Sequence, residues 1–134
     1  MKMGLIPIHA EITGSIVEAS IALHRDLGPG LFESTYEALL ADELERRGHR
    51  VERQVLVPLT YRGRTITQAY RLDLLVDGVV IVEIKATERA APIHKCQLLT
   101  HLRLMRLQVG LVLNFGLEYM KDGIDRVYNT KVIP

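Results

Sequence analysis

The apolar positions of the chain alternate between helical and strand-like spacing, which predicts a fold built from both kinds of element. Apolar residues at helical spacing predict helices over about Ala10 to Leu27, Leu31 to Arg47 and Pro92 to Leu107. Apolar, β-prone runs predict the strands Val51 to Tyr61, Ile66 to Val76, Val79 to Lys85, Gln108 to Asn114 and an edge strand near Ile124 to Tyr128. The order ααβββαβ therefore predicts an α/β (α+β) domain in which a mixed central sheet of about four to five strands is flanked by helices.

The segment from Arg71 to Lys85 is the centre of this pattern, because it predicts two apolar strands joined by a turn at Asp77-Gly78. Asp73 interrupts the first strand, and Glu83 interrupts the second. Apolar side chains cover both faces of the hairpin, as in a central strand, where an unpaired charge is costly. A divalent metal shared by the two carboxylates would compensate for that cost. The strand after the hairpin is reached through the third helix, in the form of a parallel crossover that we expect to be right-handed.

The length of the turn decides whether the two carboxylates share a face of the sheet. A two-residue loop pairs Val76 with Val79 and sets Asp73 and Glu83 on opposite faces. A three-residue loop, or a bulge with Gly78 at positive φ, shifts the pairing by one residue and places both carboxylates on the same face. We expect the second arrangement, which places five residues on one face: Arg71, Asp73, Ile81, Glu83 and Lys85.

The second helix adds a further candidate carboxylate. At about 100° per residue, Glu33 falls between Leu40 and Leu44, in the middle of the apolar stripe. A carboxylate in that position needs a partner, which favours a functional role. The alternative is a first-turn acid that only complements the helix dipole. Glu37 lies one turn further on, and we expect it to be solvated.

The third helix carries a polar stripe inside its apolar face. His94, Gln97 and His101 fall in one narrow sector with apolar residues on both sides, so we expect them to point at the sheet. Buried polar side chains satisfied by backbone groups are the alternative, but three of them beside a charged hairpin favour a site. Cys96 lies on the opposite face and is interpreted as an inert thiol.

Composition limits the classes of function. The 134 residues are 48% hydrophobic and 25% charged, which predicts one globular domain over residues 1–134. The net charge of +1 provides no general attraction to nucleic acid, so such a role would need a local basic patch. Cys96 is the one cysteine, which favours a reducing, cytoplasmic location. No apolar run predicts a signal peptide or a membrane span, so we expect no membrane partner.

Several motifs resemble one known family. Asp73, followed ten residues later by Glu83-Ile84-Lys85, resembles the central motif of the PD-(D/E)XK nuclease superfamily, with Leu72 in place of its proline. The run Gly30-Leu31-Phe32-Glu33-Ser34-Thr35-Tyr36 is similar to the signature of its GxxExxY branch. Similarity to that branch continues in Gly28-Pro29-Gly30, Gln54, Gln97-Leu98-Leu99 and residues 109–116, and so covers nearly the whole chain.

The resemblance implies a restriction-endonuclease-like core and metal-dependent phosphodiester chemistry. It implies that a metal is held by Asp73, Glu83, Glu33 and the backbone carbonyl of Ile84. It implies that Lys85 helps to activate the attacking water and that Gln97 belongs to a QxxxY motif, with His101 in place of its tyrosine. The predicted substrate contacts are Arg71, Tyr36, His94 and His101.

Two functions remain open after the sequence alone. The first is a Mg²⁺-dependent nuclease, with Mn²⁺ as an alternative metal, that acts on DNA rather than RNA. Hard oxygen ligands favour these ions, and the chain has no cysteine and histidine cluster for zinc. The second is a nuclease-like module that binds nucleic acid or a protein without cutting. A purely structural or oligomerisation domain would leave the buried acids unexplained, and a homodimer remains open.

Overall fold

The computed structural model describes residues 8–131. Its helices are α1 (Ala10–Leu27), α2 (Glu33–Arg46) and α3 (Pro92–Met105), with a 3₁₀ turn at Met120–Gly123. Its strands are β1 (Val51–Tyr61), β2 (Arg64–Val76), β3 (Val80–Lys85), β4 (Val109–Asn114) and β5 (Ile124–Tyr128). Within the described range no helix is both long and apolar enough to cross a membrane.

The strands form one mixed sheet in the order β1-β2-β3-β4-β5. Neighbouring strands are antiparallel except β3 and β4, which are parallel and are connected through α3. The predicted α+β architecture and the parallel crossover are therefore confirmed, and the arrangement is that of a restriction-endonuclease-like core.

Helices cover both faces of the sheet, as the apolar hairpin predicts. On one face, Ile16 of α1 and Leu40 of α2 pack in a cluster with alternate strand residues. These strand residues include Val80, Val82, Ile84 and Leu111. On the other face, Leu98 and Leu102 of α3 form a second cluster with strand residues. These strand residues include Leu75, Ile81 and Val112. The period of two along β3 and β4 divides their side chains between these two cores.

The hairpin between β2 and β3 has the three-residue loop that the sequence predicts. Val76 pairs with Val80, which leaves Asp77–Val79 as the loop, and Asp77 and Gly78 have φ of 52° and 70°. The Asp77 carboxylate accepts the Arg50 N–H at 2.8 Å and lies 2.6 Å from His49 Nδ1, so the loop is fixed to the segment that precedes β1. The pairing ends at Leu74 and Val82, and beyond it Asp73 Oδ2 accepts the N–H of Ile84 at 2.8 Å. The prediction of one shared face is wrong for Arg71, which lines a cleft on the α2 side, whereas Ile81 and Glu83 lie toward α3.

In β1 and β2, the alternation of side chains between the two faces of the sheet is interrupted at Gln54 and Asp73. Arg53 pairs with Leu74 and Val55 pairs with Leu72, so Gln54 and Asp73 lie between these two pairs. Gln54 has φ of 52°, a left-handed conformation that is uncommon outside glycine. Leu74 belongs to the α1 and α2 core, whereas Leu72 belongs to the α3 core. This local irregularity places the side chains of Gln54 and Asp73 at the boundary between the two cores.

The carboxyl end of β4 is held by a buried asparagine. Asn114 Oδ1 accepts the N–H of Thr87 at 3.0 Å and that of Gly116 at 2.9 Å, and Asn114 Nδ2 donates to Thr87 Oγ1 at 3.1 Å. Asn114 pairs with Lys85, the last residue of β3. These bonds fix the segment that leaves Lys85 against the end of the neighbouring strand.

This close approach predicts the effect of a methyl group at Gly116. A Cβ at Gly116 would collide with the backbone of Ala86 and Thr87, including the Thr87 nitrogen at 2.5 Å. We expect Gly116→Ala to reduce the free energy of unfolding by about 1–3 kcal/mol. Gly14→Ala is the control, because nothing lies within 4 Å of its Cβ in α1, and it should stabilise the protein by about 0.5–1 kcal/mol. Urea denaturation measures both, and equal stability of the two variants would contradict the close approach of Gly116 to Thr87.

Candidate active site

Asp73 is held at the end of the ordered pairing between β2 and β3. Its Oδ2 accepts the backbone N–H of Ile84 at 2.8 Å, and its Oδ1 lies 3.5 Å from Gln54 Nε2. The first bond fixes the carboxylate beside β3, and the second is long for a hydrogen bond. Asp73 therefore keeps lone pairs available on a partly buried carboxylate.

Glu37 of α2 joins Asp73 through a shared amide. Gln54 Nε2 donates to Glu37 Oε1 at 2.5 Å, and Arg53 Nε donates to Glu37 Oε2 at 3.1 Å. Glu37 is only 5% exposed, and the Arg53 guanidinium supplies the countercharge that a buried carboxylate needs. The left-handed turn at Gln54 allows these consecutive side chains of β1 to meet the same carboxylate.

These groups line an open cleft of about 390 Å³ between the first half of α2 and the strands β1 and β2. The lining is mainly polar and comprises Glu33, Ser34, Glu37, Arg53, Gln54, Arg71, Asp73 and Ile84. Two arginines and three carboxylates thus face the same space, which suits a ligand that carries both a metal and a phosphate.

Glu83 lies on β3, the strand next to that of Asp73, and is buried toward α3. Its Oε1 and the Nδ1 of His101 have no hydrogen-bond partner, although they are 3.6 Å apart and form an ion pair when the histidine is protonated. Burial raises the pKa of the Glu83 carboxyl, and the nearby charge of Asp73 raises it further, while His101 opposes both effects. His101 is itself positioned by stacking on Tyr70, with ring centroids 4.6 Å apart.

Lys85 ends β3, two residues beyond Glu83 and on the same side of the strand. It is half-buried, and no salt bridge to Lys85 is found among residues 8–131. Its ammonium is therefore available to an anion at the end of the strand.

A comparison with models of known protein families matches residues 10–127 to the PD-(D/E)XK nuclease superfamily. The chain belongs to the PD-(D/E)XK nuclease superfamily. Members of this superfamily are generally nucleases, and they typically use divalent metals. Corresponding searches of curated proteins and of solved structures give no match.

The acids of the superfamily motif fit a hard cation in one respect. Glu83 is buried, its Oε1 has no hydrogen-bond partner and the charge of Asp73 lies near it, so a cation between the two carboxylates would offset both negative charges. Among residues 8–131, no group of three or more histidine, cysteine, aspartate or glutamate side chains is close enough to hold a metal. Mg²⁺ does not require such a group, because it is commonly held by one or two carboxylates together with waters and substrate phosphates.

Two of the residues predicted to be buried are exposed. The helix α2 begins at Glu33 and not at about Leu31, so Glu33 lies at the rim, although it does line the cleft with Asp73. Gln97 is exposed and is not part of that lining, so the prediction that it points at the sheet is wrong. Its place in the chemistry remains a prediction without geometric support.

Two of the predicted substrate contacts have other environments. Tyr36 is fully buried. Its hydroxyl donates to Gly28 O at 2.6 Å, and its ring stacks on Phe115 at 4.5 Å. It therefore shapes the loop before α2 and does not contact substrate. His94 lies in a separate small pocket with Asn114, outside the cleft lining.

Sequence reasoning misses Glu37, Gln54 and Arg53 as parts of the site. The sequence predicts a solvated Glu37, yet this residue shares the buried face of α2 with Leu40 and Leu44. Its spacing of three residues before Leu40 is an available signal. The contribution of Gln54 depends on a positive φ that no local pattern predicts.

The raised pKa of Glu83 predicts a pH-dependent stability. Because the folded pKa exceeds the ordinary value of about 4.3, the folded state binds more protons than the unfolded state between these two values. Stability therefore falls as pH rises through that window. We expect Glu83→Gln to raise Tm near pH 7 in metal-free buffer, and the difference should shrink toward about pH 4.

The matched control is Glu18→Gln, which removes an exposed carboxylate from the middle of α1. It should leave Tm nearly unchanged across the same range. Calorimetry of the three proteins measures the effect. A Glu83→Gln variant that is less stable than wild type at both ends of the pH range would show that the ionised Glu83 carboxylate does not destabilise the fold.

Proposed function

We propose that the protein is a Mg²⁺-dependent nuclease of the GxxExxY branch that hydrolyses phosphodiester bonds in DNA. The observation that carries the proposal is the pair of neighbouring carboxylates, Asp73 and Glu83, in which a buried Glu83 oxygen has no hydrogen-bond partner. Buried unpaired charge destabilises a fold, so a site that retains it is a candidate for ion binding and catalysis.

The groups that would hold the metal are the carboxylates of Asp73 and Glu83 and the carbonyl of Ile84, with Glu33 at the cleft rim as an outer partner. When bound, the metal would polarise the scissile phosphate and lower the pKa of a water. Ile84 suits this role because its N–H already anchors Asp73 Oδ2, which fixes one ligand relative to the backbone of the other strand.

The remaining roles belong to cationic side chains. Lys85 would orient the attacking water and stabilise charge on the phosphate. Arg71, exposed in the cleft lining beside Asp73, would hold a non-bridging phosphate oxygen. His101 would orient Glu83, because it lies 3.6 Å from the carboxylate and is fixed by Tyr70. Arg53 is committed to Glu37 and would act on substrate only through that pair.

The activity predicts a specific dependence on Lys85. Purified protein with Mg²⁺ or Mn²⁺ should cut DNA, and a chelator should stop it. Lys85→Ala should reduce kcat/KM by about hundredfold or more, the magnitude found when one electrostatic stabiliser is removed, with little change in Tm. Lys95→Ala removes an exposed lysine from α3 and is the control.

The cleavage assay should compare single-stranded and double-stranded DNA and RNA. Wild-type protein that binds Mg²⁺ yet cuts none of them would instead support a non-cutting nuclease-like binding module. Cutting that survives both Lys85→Ala and Asp73→Ala would identify a contaminating nuclease.

The two acids on α2 predict contrasting effects. Glu33 is exposed at the cleft rim, so Glu33→Gln should leave Tm unchanged but weaken Mg²⁺ binding about tenfold. Glu37 is buried against Arg53, so Glu37→Gln should lower the free energy of unfolding by about 1–3 kcal/mol. Isothermal titration and thermal melts measure both quantities. If Glu33→Gln binds Mg²⁺ as wild type does, Glu33 has no part in the metal site.

A further inference from the structure

Strands β1 and β2 extend beyond the rest of the sheet as a two-stranded arm, defined here as residues 55–70. The pairing of β2 with β3 covers only Leu74 to Val76, whereas its pairing with β1 continues to Arg64. Every residue from Thr60 to Ala69 is exposed. The outer part of the arm therefore contributes little to either core, and its shape must come from local interactions.

Local interactions order the tip of the arm. Arg62 and Gly63 have φ of 49° and 80°, as a two-residue hairpin loop of the type I′ class requires. The hydroxyls of Thr60 and Thr65 lie 2.9 Å apart across the strands. The Arg62 guanidinium lies 5.3 Å from the centre of the Tyr61 ring, a cation–π contact. A defined tip thus carries two arginines, Arg62 and Arg64.

The charged side chains of the arm all have one sign, whereas the cleft at its base holds three carboxylates beside two arginines. No aspartate or glutamate occurs between Gln54 and Leu72, although the chain as a whole is nearly neutral. At the base of the arm, Arg53 and Arg71 line the Asp73 cleft. Arg64 lies nine positions before Asp73 along β2, which at about 3.3 Å per residue spans about 30 Å.

We propose that the arm is a nucleic-acid-binding element that holds the substrate backbone far from the cleavage point. Duplex DNA rises about 3.4 Å per base pair, so Arg62 and Arg64 would contact phosphates about nine base pairs from the scissile bond. The inference rests on the proposed function, because it takes the ligand of the arm to be the substrate of the Asp73 cleft. It supplies the local basic patch that the net charge of the whole chain does not provide.

The free edge of the arm argues against a second protein chain as its partner. β1 is the edge strand of the sheet. Pro58 lies on it, and the pairing with β2 is irregular between Val57 and Leu59. Proline lacks the N–H that an added strand would need, and an irregular edge disfavours strand addition. Contacts through arginine side chains are unaffected by these features.

The test is DNA binding by the full chain with Mg²⁺ present, in the Lys85→Ala background, where cutting should be slower by about hundredfold or more. The probe is a fluorescein-labelled duplex of about 30 base pairs, roughly three helical turns, read by fluorescence anisotropy over a range of salt. Arg62→Asn/Arg64→Gln should raise Kd about tenfold or more. The slope of log K against log salt should fall by about 2, near 0.9 for each lost phosphate contact. Asn is chosen because it tolerates the left-handed conformation of position 62.

Two further variants separate local contacts from net charge. Arg103→Gln/Arg126→Gln makes the same change in charge at exposed sites on α3 and on β5, at the other edge of the sheet, and should bind as the parent does. Arg62→Lys/Arg64→Lys should retain most of the affinity, because phosphate contacts accept lysine as a point charge. Equal Kd and equal salt slopes for the arm variant and the control would overturn the proposal.

Two outcomes distinguish the proposed role of the arm from the proposed nuclease activity. Because binding is measured separately from cutting, an arm variant that loses affinity supports the arm even if the wild type proves unable to cleave. A change in sedimentation mass of the arm variant with unchanged DNA affinity would overturn the proposal and assign the arm to self-association. In the cutting protein, the loss of kcat/KM should be larger on a duplex of about 30 base pairs than on one of about eight.

Discussion

The site depends on two carboxylates that the sheet brings together where both of its faces are covered. Asp73 and Glu83 lie on adjacent strands, and helices pack on either side of those strands. Burial and mutual repulsion raise the pKa of Glu83, and neither His101 nor Gln54 forms a short hydrogen bond that would relieve the pair. The protein thus keeps two neighbouring carboxylates that an apolar pair would replace at lower cost, and the proposed ion-binding role accounts for their presence.

The odd length of the loop between these strands could be predicted from the sequence, because it decides which side chains of the hairpin share a face, whereas the face exchange at Asp73 could not. Asp77-Gly78 between apolar runs marks the turn, and only an odd loop sets Asp73 and Glu83 on one side. The structure shows which contacts hold the loop at three residues. Its Asp77 carboxylate is bound by the Arg50 N–H and by His49, residues distant in sequence that no local pattern connects to the turn.

The helix faces are predicted less well, because a helical wheel gives direction but not the area that a helix covers. Glu33 and Glu37 lie at similar angles to Leu40 and Leu44, yet α2 begins at Glu33 and only Glu37 reaches the core. On α3, apolar residues flank Gln97 on both sides, but Leu98 and Leu102 are buried whereas Ile93 and Leu104 are exposed. Only one flank meets the sheet, so Gln97 lies outside it and His101 lies inside.

The irregularity at Gln54 connects the buried and open parts of the site. A regular ladder would direct Gln54 and Asp73 to a single face, where either α2 or α3 would enclose them. Because both strands exchange faces there, Asp73 accepts a bond from Ile84, lines the open cleft and still acts on the buried Glu83. The same exchange turns the outer halves of β1 and β2 toward the α3 core at Val55 and Leu72. The left-handed residue Gln54 is therefore the local feature that places Asp73 between the open cleft and the buried Glu83.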